Sequence, residues 1–289
     1  MVLFIDSSDL DEIKEALSLG VVEGVTTNPS LIKEVVVKNG GISFKEYVAE
    51  ILKEAGRDKP VSLEVASTKA SDMVKEAKKL YDEFNGIAHN VVIKIPVTTK
   101  GIEADETEGI KAIKELSDAG IPVNATLIMA PSQAYLAALA GAKYVSPFLG
   151  RVDDFVRSKL SITYSKGEYF NHKAVRRYLE SAVSSQQSKG LSDPSLFSEL
   201  NINYGLLSGA EVLASIKTIF LNYGLRAKII AASIRNARQA EEALEIGADI
   251  VTLPYSVLKA MMTHPKSEEG IRLFVEDAQK INYSELFKS

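Results

Sequence analysis

With 289 residues, 46% of them hydrophobic and 25% charged, the chain can bury a large apolar core and fits an α/β barrel of about 250 residues carrying one insertion. A formal net charge of −4 leaves no basic footprint for a nucleic-acid partner, so an anionic substrate must be met by a local cluster of Arg or Lys. The sequence contains no cysteine, which excludes disulfides and thiolate metal sites.

The N-terminus, MVLFIDSSDLDE, turns acidic too early for a signal peptide. No apolar run approaches the ~20 residues of a membrane span. A cytoplasmic protein with no membrane partner is expected. Short β-branched runs then alternate with amphipathic stretches. Strands are predicted at VLFID (2–6), GVTTN (24–28), VSLEVA (61–66), NVVIKIP (90–96), PVNATLI (122–128), KYVSPFL (143–149), AKIIAAS (227–233) and DIVTLP (249–254). Helical patterns lie between them at 70–84, 101–120, 131–142 and 235–248. The Gly-Ala pairs at 141–142 and 247–248 sit where helices end and strands begin. Strict alternation argues for a parallel sheet, and eight repeats for a closed (β/α)₈ TIM barrel. Residues 1–289 read as one barrel domain with an extra C-terminal helix at about 268–281.

One segment breaks the rhythm. About 156–207 separates the sixth strand from a helix starting near Ser208, where a loop of a few residues is normal. It includes HKAVRRYLESAVSSQQ, which looks helical, and a Ser/Gly/Asp/Pro turn at 188–195. Seven Lys/Arg against four acids give it a charge of +3, leaving −7 for the rest. It reads either as surface decoration or an oligomer contact, or as a basic lid over the catalytic mouth.

Side chains alternate along a strand, so in a barrel one parity faces the helices and the other the axis. In NVVIKIP the apolar set Val91, Ile93 and Ile95 faces out, which leaves Lys94 on the axis with Val92. The same test faces Asp6, Glu64, Asn124, Thr126, Ser146, Phe148 and Ser233 inward, with Leu3, Ile5, Leu63, Val65, Val123, Ala125 and Leu127 outward. Polar groups thus collect at the C-terminal strand ends, where barrel enzymes do their chemistry.

Burial disfavours an ammonium, so a lysine there is expected to be a neutral amine able to form a Schiff base with a ketone. The imine is an electron sink that lets a nearby C–C bond break, and no metal or other cofactor is needed. None of His89, His172 and His264 falls at an inward strand position. Arg151 in SPFLGRVDD and Arg235 in AASIRN follow strands six and seven beside Ser233 and suit a phosphate clamp. The bland alternative pairs Arg151 with Asp153 or Asp154.

GVTTNPSLI (24–32), NVVIKIP, VNATLI, AGAKYVSPFLGRVDD (140–154) and AASIRN together resemble the transaldolase family, closest to its short microbial branch, which includes fructose-6-phosphate aldolases. The resemblance covers about 1–155 and 208–265, and leaves the 156–207 insertion unrecognised. It implies a barrel of the class I aldolase type with Lys94 as Schiff-base lysine. Asp6 would handle the proton of the donor's C4 hydroxyl, and Glu64 would act through a water held with Thr126. Asn28, Asn124 and Ser146 would orient the dihydroxyacetone unit, with Phe148 beside it, while Arg151, Ser233 and Arg235 would bind phosphate. The aldolases carry glutamine where Glu64 stands and tyrosine where Phe148 stands, and lack an arginine matching Arg235, so these positions follow the transaldolases. The implied reaction is sedoheptulose 7-phosphate with glyceraldehyde 3-phosphate giving erythrose 4-phosphate and fructose 6-phosphate, in the pentose phosphate pathway, by a homo-oligomer. The alternatives are a fructose-6-phosphate aldolase-like lyase and a non-catalytic barrel that binds sugar phosphates.

Overall fold

The computed structural model describes residues 2–38, 43–101, 105–177, 180–181 and 208–281. Eight parallel strands pair in sequence order and close into a barrel: β1 (Val2–Asp6), β2 (Val22–Thr26), β3 (Val61–Glu64), β4 (Val91–Pro96), β5 (Val123–Ile128), β6 (Tyr144–Pro147), β7 (Lys228–Ala231) and β8 (Ile250–Leu253). Closure runs through four paired positions, Val2 with Ile250 to Ile5 with Leu253. All eight predicted strands are present, in a TIM barrel.

Helices wrap the sheet: α1 (Leu10–Ser18), α2 (Pro29–Lys38), α3 (Phe44–Ala55), α4 (Ala70–Ala88), α5 (Glu108–Asp118), α6 (Pro131–Leu139), α7 (Leu149–Lys159), α8 (Gly209–Tyr223), α9 (Ala237–Ile246), α10 (Tyr255–Met261) and α11 (Pro265–Lys280). Their starts are legible chemically. Asp9 accepts from the amides of Asp11 and Glu12, Ser43 and Glu46 form a capping box, and Ser208 and Asn236 accept from the amides of Glu211 and Gln239. None of these helices is long and apolar enough to cross a membrane.

The alternation of side chains divides the interior into two apolar compartments. Ile5, Leu63, Val91, Ile93, Ile95, Val123 and Ala125 pack outward against the helices. Phe4, Val92, Tyr144, Ile230 and Ile250 form a separate cluster on the axis. This plug fills the barrel below the polar residues, so the upper interior alone is open to chemistry.

Two sequence expectations are corrected here. Leu127 does not face the helices: the register of β5 on β6 shifts between Ala125 and Ile128, Leu127 takes a φ of 57°, and Ile128 occupies the outer compartment instead. The segment expected from 156 begins after Lys159, because α7 continues its buried face through Leu149, Val152 and Val156. That helix starts directly off β6 since its first amides have partners across the sheet: Leu149 N–H donates to the Ala232 carbonyl (2.9 Å) and Gly150 N–H to that of Ser233 (3.1 Å). Residues 160–171 then form a loop and 172–177 a short helix, as expected for the start of HKAVRRYLESAVSSQQ. The turn expected at 188–195 lies outside the described residues. Further along, α8 packs against α6, α7 and α9, so the sequence on both sides of the segment builds the same barrel.

Candidate active site

The C-terminal strand ends open into a cavity of about 920 Å³, and Lys94 lies at its floor. Lys94 is only 4% exposed. Register places Glu64, Lys94 and Asn124 side by side on β3, β4 and β5. The Lys94 Nζ lies 3.0 Å from Glu64 Oε2 and donates to the Thr27 carbonyl at 2.9 Å. Beside it, Ser146 Oγ donates to Asn124 Oδ1 (2.7 Å), and Asn124 Nδ2 donates to Ser62 Oγ (3.3 Å). These side chains stand on strands and hold one another, which fixes their orientation more tightly than loops can.

Asp6 closes the other side. Its Oδ1 accepts from Thr26 Oγ1 at 2.7 Å, and Thr26 Oγ1 lies 2.7 Å from Thr252 Oγ1. Thr26 has one hydroxyl proton and gives it to Asp6, so Thr252 must be the donor in the second contact. Burial raises the Asp6 carboxyl above its ordinary pKa; the Lys94 charge and the Thr26 hydrogen bond oppose the shift, and the Glu64 charge adds to it. Thr126, on β5, is fully buried and its Oγ1 has no protein partner among the described residues.

The rim carries the arginines. Arg151 is exposed on the first turn of α7, with its guanidinium 5.7 Å from the centre of the Phe148 ring, and it forms no ion pair among the described residues. Instead Arg235 takes Asp154, its Nη2 donating to Oδ2 at 2.9 Å. The Nε of Arg235 is buried without a hydrogen-bond partner, a donor left available. Ser233 also lines the cavity, though not through strand parity. The inner positions of β7 and its extension are Ile230 and Ala232; Ser233 lies past the strand end with a φ of 58°, a left-handed conformation uncommon for serine. Gly150 makes this turn possible. A Cβ there would sit 2.3 Å from the Ser233 carbonyl oxygen and 2.5 Å from Arg235 Nε.

A family model described as Transaldolase/Fructose-6-phosphate aldolase matches residues 3–288. The chain is 38% identical over 282 residues to a probable transaldolase of Thermoplasma volcanium, across 98% of this chain and 97% of that protein. The probable transaldolase of Thermoplasma acidophilum gives the same identity and coverage. That of Chlorobaculum parvum is 38% identical over 279 residues, 96% of this chain and 98% of its own. The chain belongs to the transaldolase/fructose-6-phosphate aldolase family. It is an enzyme of the transaldolase/aldolase type.

In this transaldolase-family barrel, all but one of the expected site residues line one cavity: Asp6, Asn28, Glu64, Lys94, Asn124, Ser146, Phe148, Arg151, Ser233 and Arg235. Thr126 is buried behind that lining. Sequence reasoning missed Thr26 and Thr252, which the same parity test applied to GVTTN and DIVTLP would have found. It also missed Gly150, whose signal is only its place before Arg151, and Leu127, whose exposure to the cavity depends on an irregularity no pattern announces.

Proposed function

We propose that this protein is a transaldolase that moves a dihydroxyacetone unit between sugar phosphates through a Schiff base on Lys94. The observation that carries the reading is the Lys94 amine itself: buried at a cavity floor, on a strand, 3.0 Å from one carboxylate. Nucleophilic attack on a ketone needs the amine to shed its proton, and Glu64 is the group in contact to take it. The carbinolamine must then lose hydroxide as water. Glu64 would protonate it through a water for which the unpartnered Thr126 hydroxyl is a suitable holder.

With the imine formed, the C3–C4 bond breaks as Asp6 accepts the C4 hydroxyl proton, and the electron pair passes to the imine to give an enamine. A carboxyl raised by burial is a better match for proton transfer near neutral pH than an ordinary aspartate. Asn28, Asn124 and Ser146 would hold the hydroxyls of the three-carbon unit. Phe148 brings no hydroxyl to the enamine, which favours waiting for an acceptor aldehyde over protonation. Arg151, Ser233 and Arg235 would bind the phosphate, as on fructose 6-phosphate or sedoheptulose 7-phosphate. Residues of α11 such as Ile271, Phe274 and Val275 are exposed, which supports assembly into a homo-oligomer through that helix.

Incubation with fructose 6-phosphate and borohydride should leave a reduced adduct on Lys94, mapped by peptide mass. An adduct elsewhere, or none, refutes the Schiff-base assignment. With erythrose 4-phosphate added, a seven-carbon ketose phosphate is expected; accumulation of free dihydroxyacetone would instead establish a lyase.

A further inference from the structure

The loop 160–171 does not stray from the barrel; it returns to the cavity, where Lys166 and Gly167 form part of the wall. Its anchor is Arg157, a residue only 4% exposed whose guanidinium lies over Tyr164 (4.3 Å to the ring centre) and Phe170 (4.9 Å) and also donates to the Glu168 carbonyl at 2.9 Å. Two more bonds tie the loop to α9 and to its cap residue Asn236, which follows Arg235. Asn236 Nδ2 donates to the Gly167 carbonyl (3.1 Å), and the Tyr169 hydroxyl to Glu242 Oε1 (2.6 Å). Gly167 itself has a φ of 99°, which a side chain would strain. A loop held at both ends in this way presents Lys166 at a defined place on the rim.

Charge then gives Lys166 a role. A sugar phosphate brings between about one and a half and two negative charges at neutral pH. Arg151 and Arg235 supply two positive charges, but Arg235 is already engaged by Asp154 at 2.9 Å, a carboxylate it shares with Arg157 at 3.9 Å. Of the two, only Arg151 is then a rim cation with no carboxylate partner among the described residues, and a dianion gains from a second such cation. Lys166 lines the same cavity and forms no ion pair among the described residues.

We propose that Lys166 is a third cation of the phosphate site and sets the preference of this enzyme for phosphorylated over unphosphorylated ligands. The inference rests on the reading of Arg151 and Arg235 as phosphate ligands, and it makes the first part of the inserted segment a working part of the substrate site.

The test uses the full chain and Lys166→Ala, Lys166→Met and Lys166→Arg, at an exposed position where folding is not at stake. Binding of inorganic phosphate by calorimetry should weaken about tenfold in the first two, the worth of one charge-assisted hydrogen bond, and recover in Lys166→Arg. The preference in KM for fructose 6-phosphate over fructose should fall by the same factor, and added neutral salt should narrow the difference between wild type and Lys166→Ala. Unchanged phosphate affinity, or an equal loss for fructose and its phosphate, overturns the proposal. Trapping of unphosphorylated dihydroxyacetone on Lys94 reports separately on the Schiff-base reading, so phosphate binding that depends on Lys166 without that adduct would sink the transaldolase reading alone.

Discussion

Asp153 offers a direct measure of how the rim is built. It is 7% exposed on α7, accepting from the Gly209 amide at the head of α8 (2.8 Å) and from Gln239 Nε2 on α9 (2.7 Å). Gln239 in turn accepts from the Arg235 amide at 2.8 Å, so one carboxyl couples three helices to Arg235 on the cavity rim. Burial pushes it up to about 7, with Glu242 and Asp154 adding to the shift and the Gly209 amide and Arg157 opposing it. In the unfolded chain the same group ionises near 3.8. Between those values the folded protein holds a proton that the unfolded chain has lost, so raising the pH costs stability until the folded carboxyl also ionises. Three pH units at 1.36 kcal/mol each make this about 4 kcal/mol. Asp153→Asn cannot ionise and keeps the volume. Urea unfolding of both proteins from pH 4 to 8 should therefore show the stability of wild type, relative to the variant, falling by about 4 kcal/mol and flattening above pH 7. A constant difference, or one that grows in favour of wild type as pH rises, would refute the reasoning.

Glu64→Gln combined with Phe148→Tyr should raise cleavage of fructose 6-phosphate to free dihydroxyacetone relative to transfer onto erythrose 4-phosphate, measured as a product ratio; an unchanged ratio would show that these positions do not divide the two activities. Gly150→Ala forces a methyl to within 2.3 Å of the Ser233 carbonyl, so the Ser233–Arg235 turn must move. A stability loss of about 1–3 kcal/mol in urea and a KM for fructose 6-phosphate raised about tenfold or more are expected. Normal kinetics in that variant would mean the turn tolerates displacement.

Much of the site was legible because a strand has a period of two and a barrel has only two faces. Once Val91, Ile93 and Ile95 are assigned to the helices, Lys94 has nowhere to point but the axis, and Glu64 and Asn124 follow from the same rule on neighbouring strands. The rule failed where the backbone left the regular strand. Leu127 and Ser233 both adopt positive φ: Leu127 reaches the cavity although alternation faced it outward, and Ser233 reaches it as expected but from beyond the strand end, where alternation no longer applies. The family resemblance still put Ser233 in the right place, since a motif transfers a position without needing its geometry.

What the sequence determined by itself was the order of eight strands, the inward lysine and the local helix caps, all set by residues within a few positions of one another. Ion-pair partners were decided by the fold. Asp154 stands three residues from Arg151 yet binds Arg235, 81 positions away, because the start of α7 packs against the turn after β7 through Gly150. The return of residues 160–171 to the cavity is likewise tertiary, resting on Arg157 between two aromatic rings. Such contacts depend on closure of the sheet, which brings distant segments to one rim and leaves Arg151 without an ion pair among the described residues.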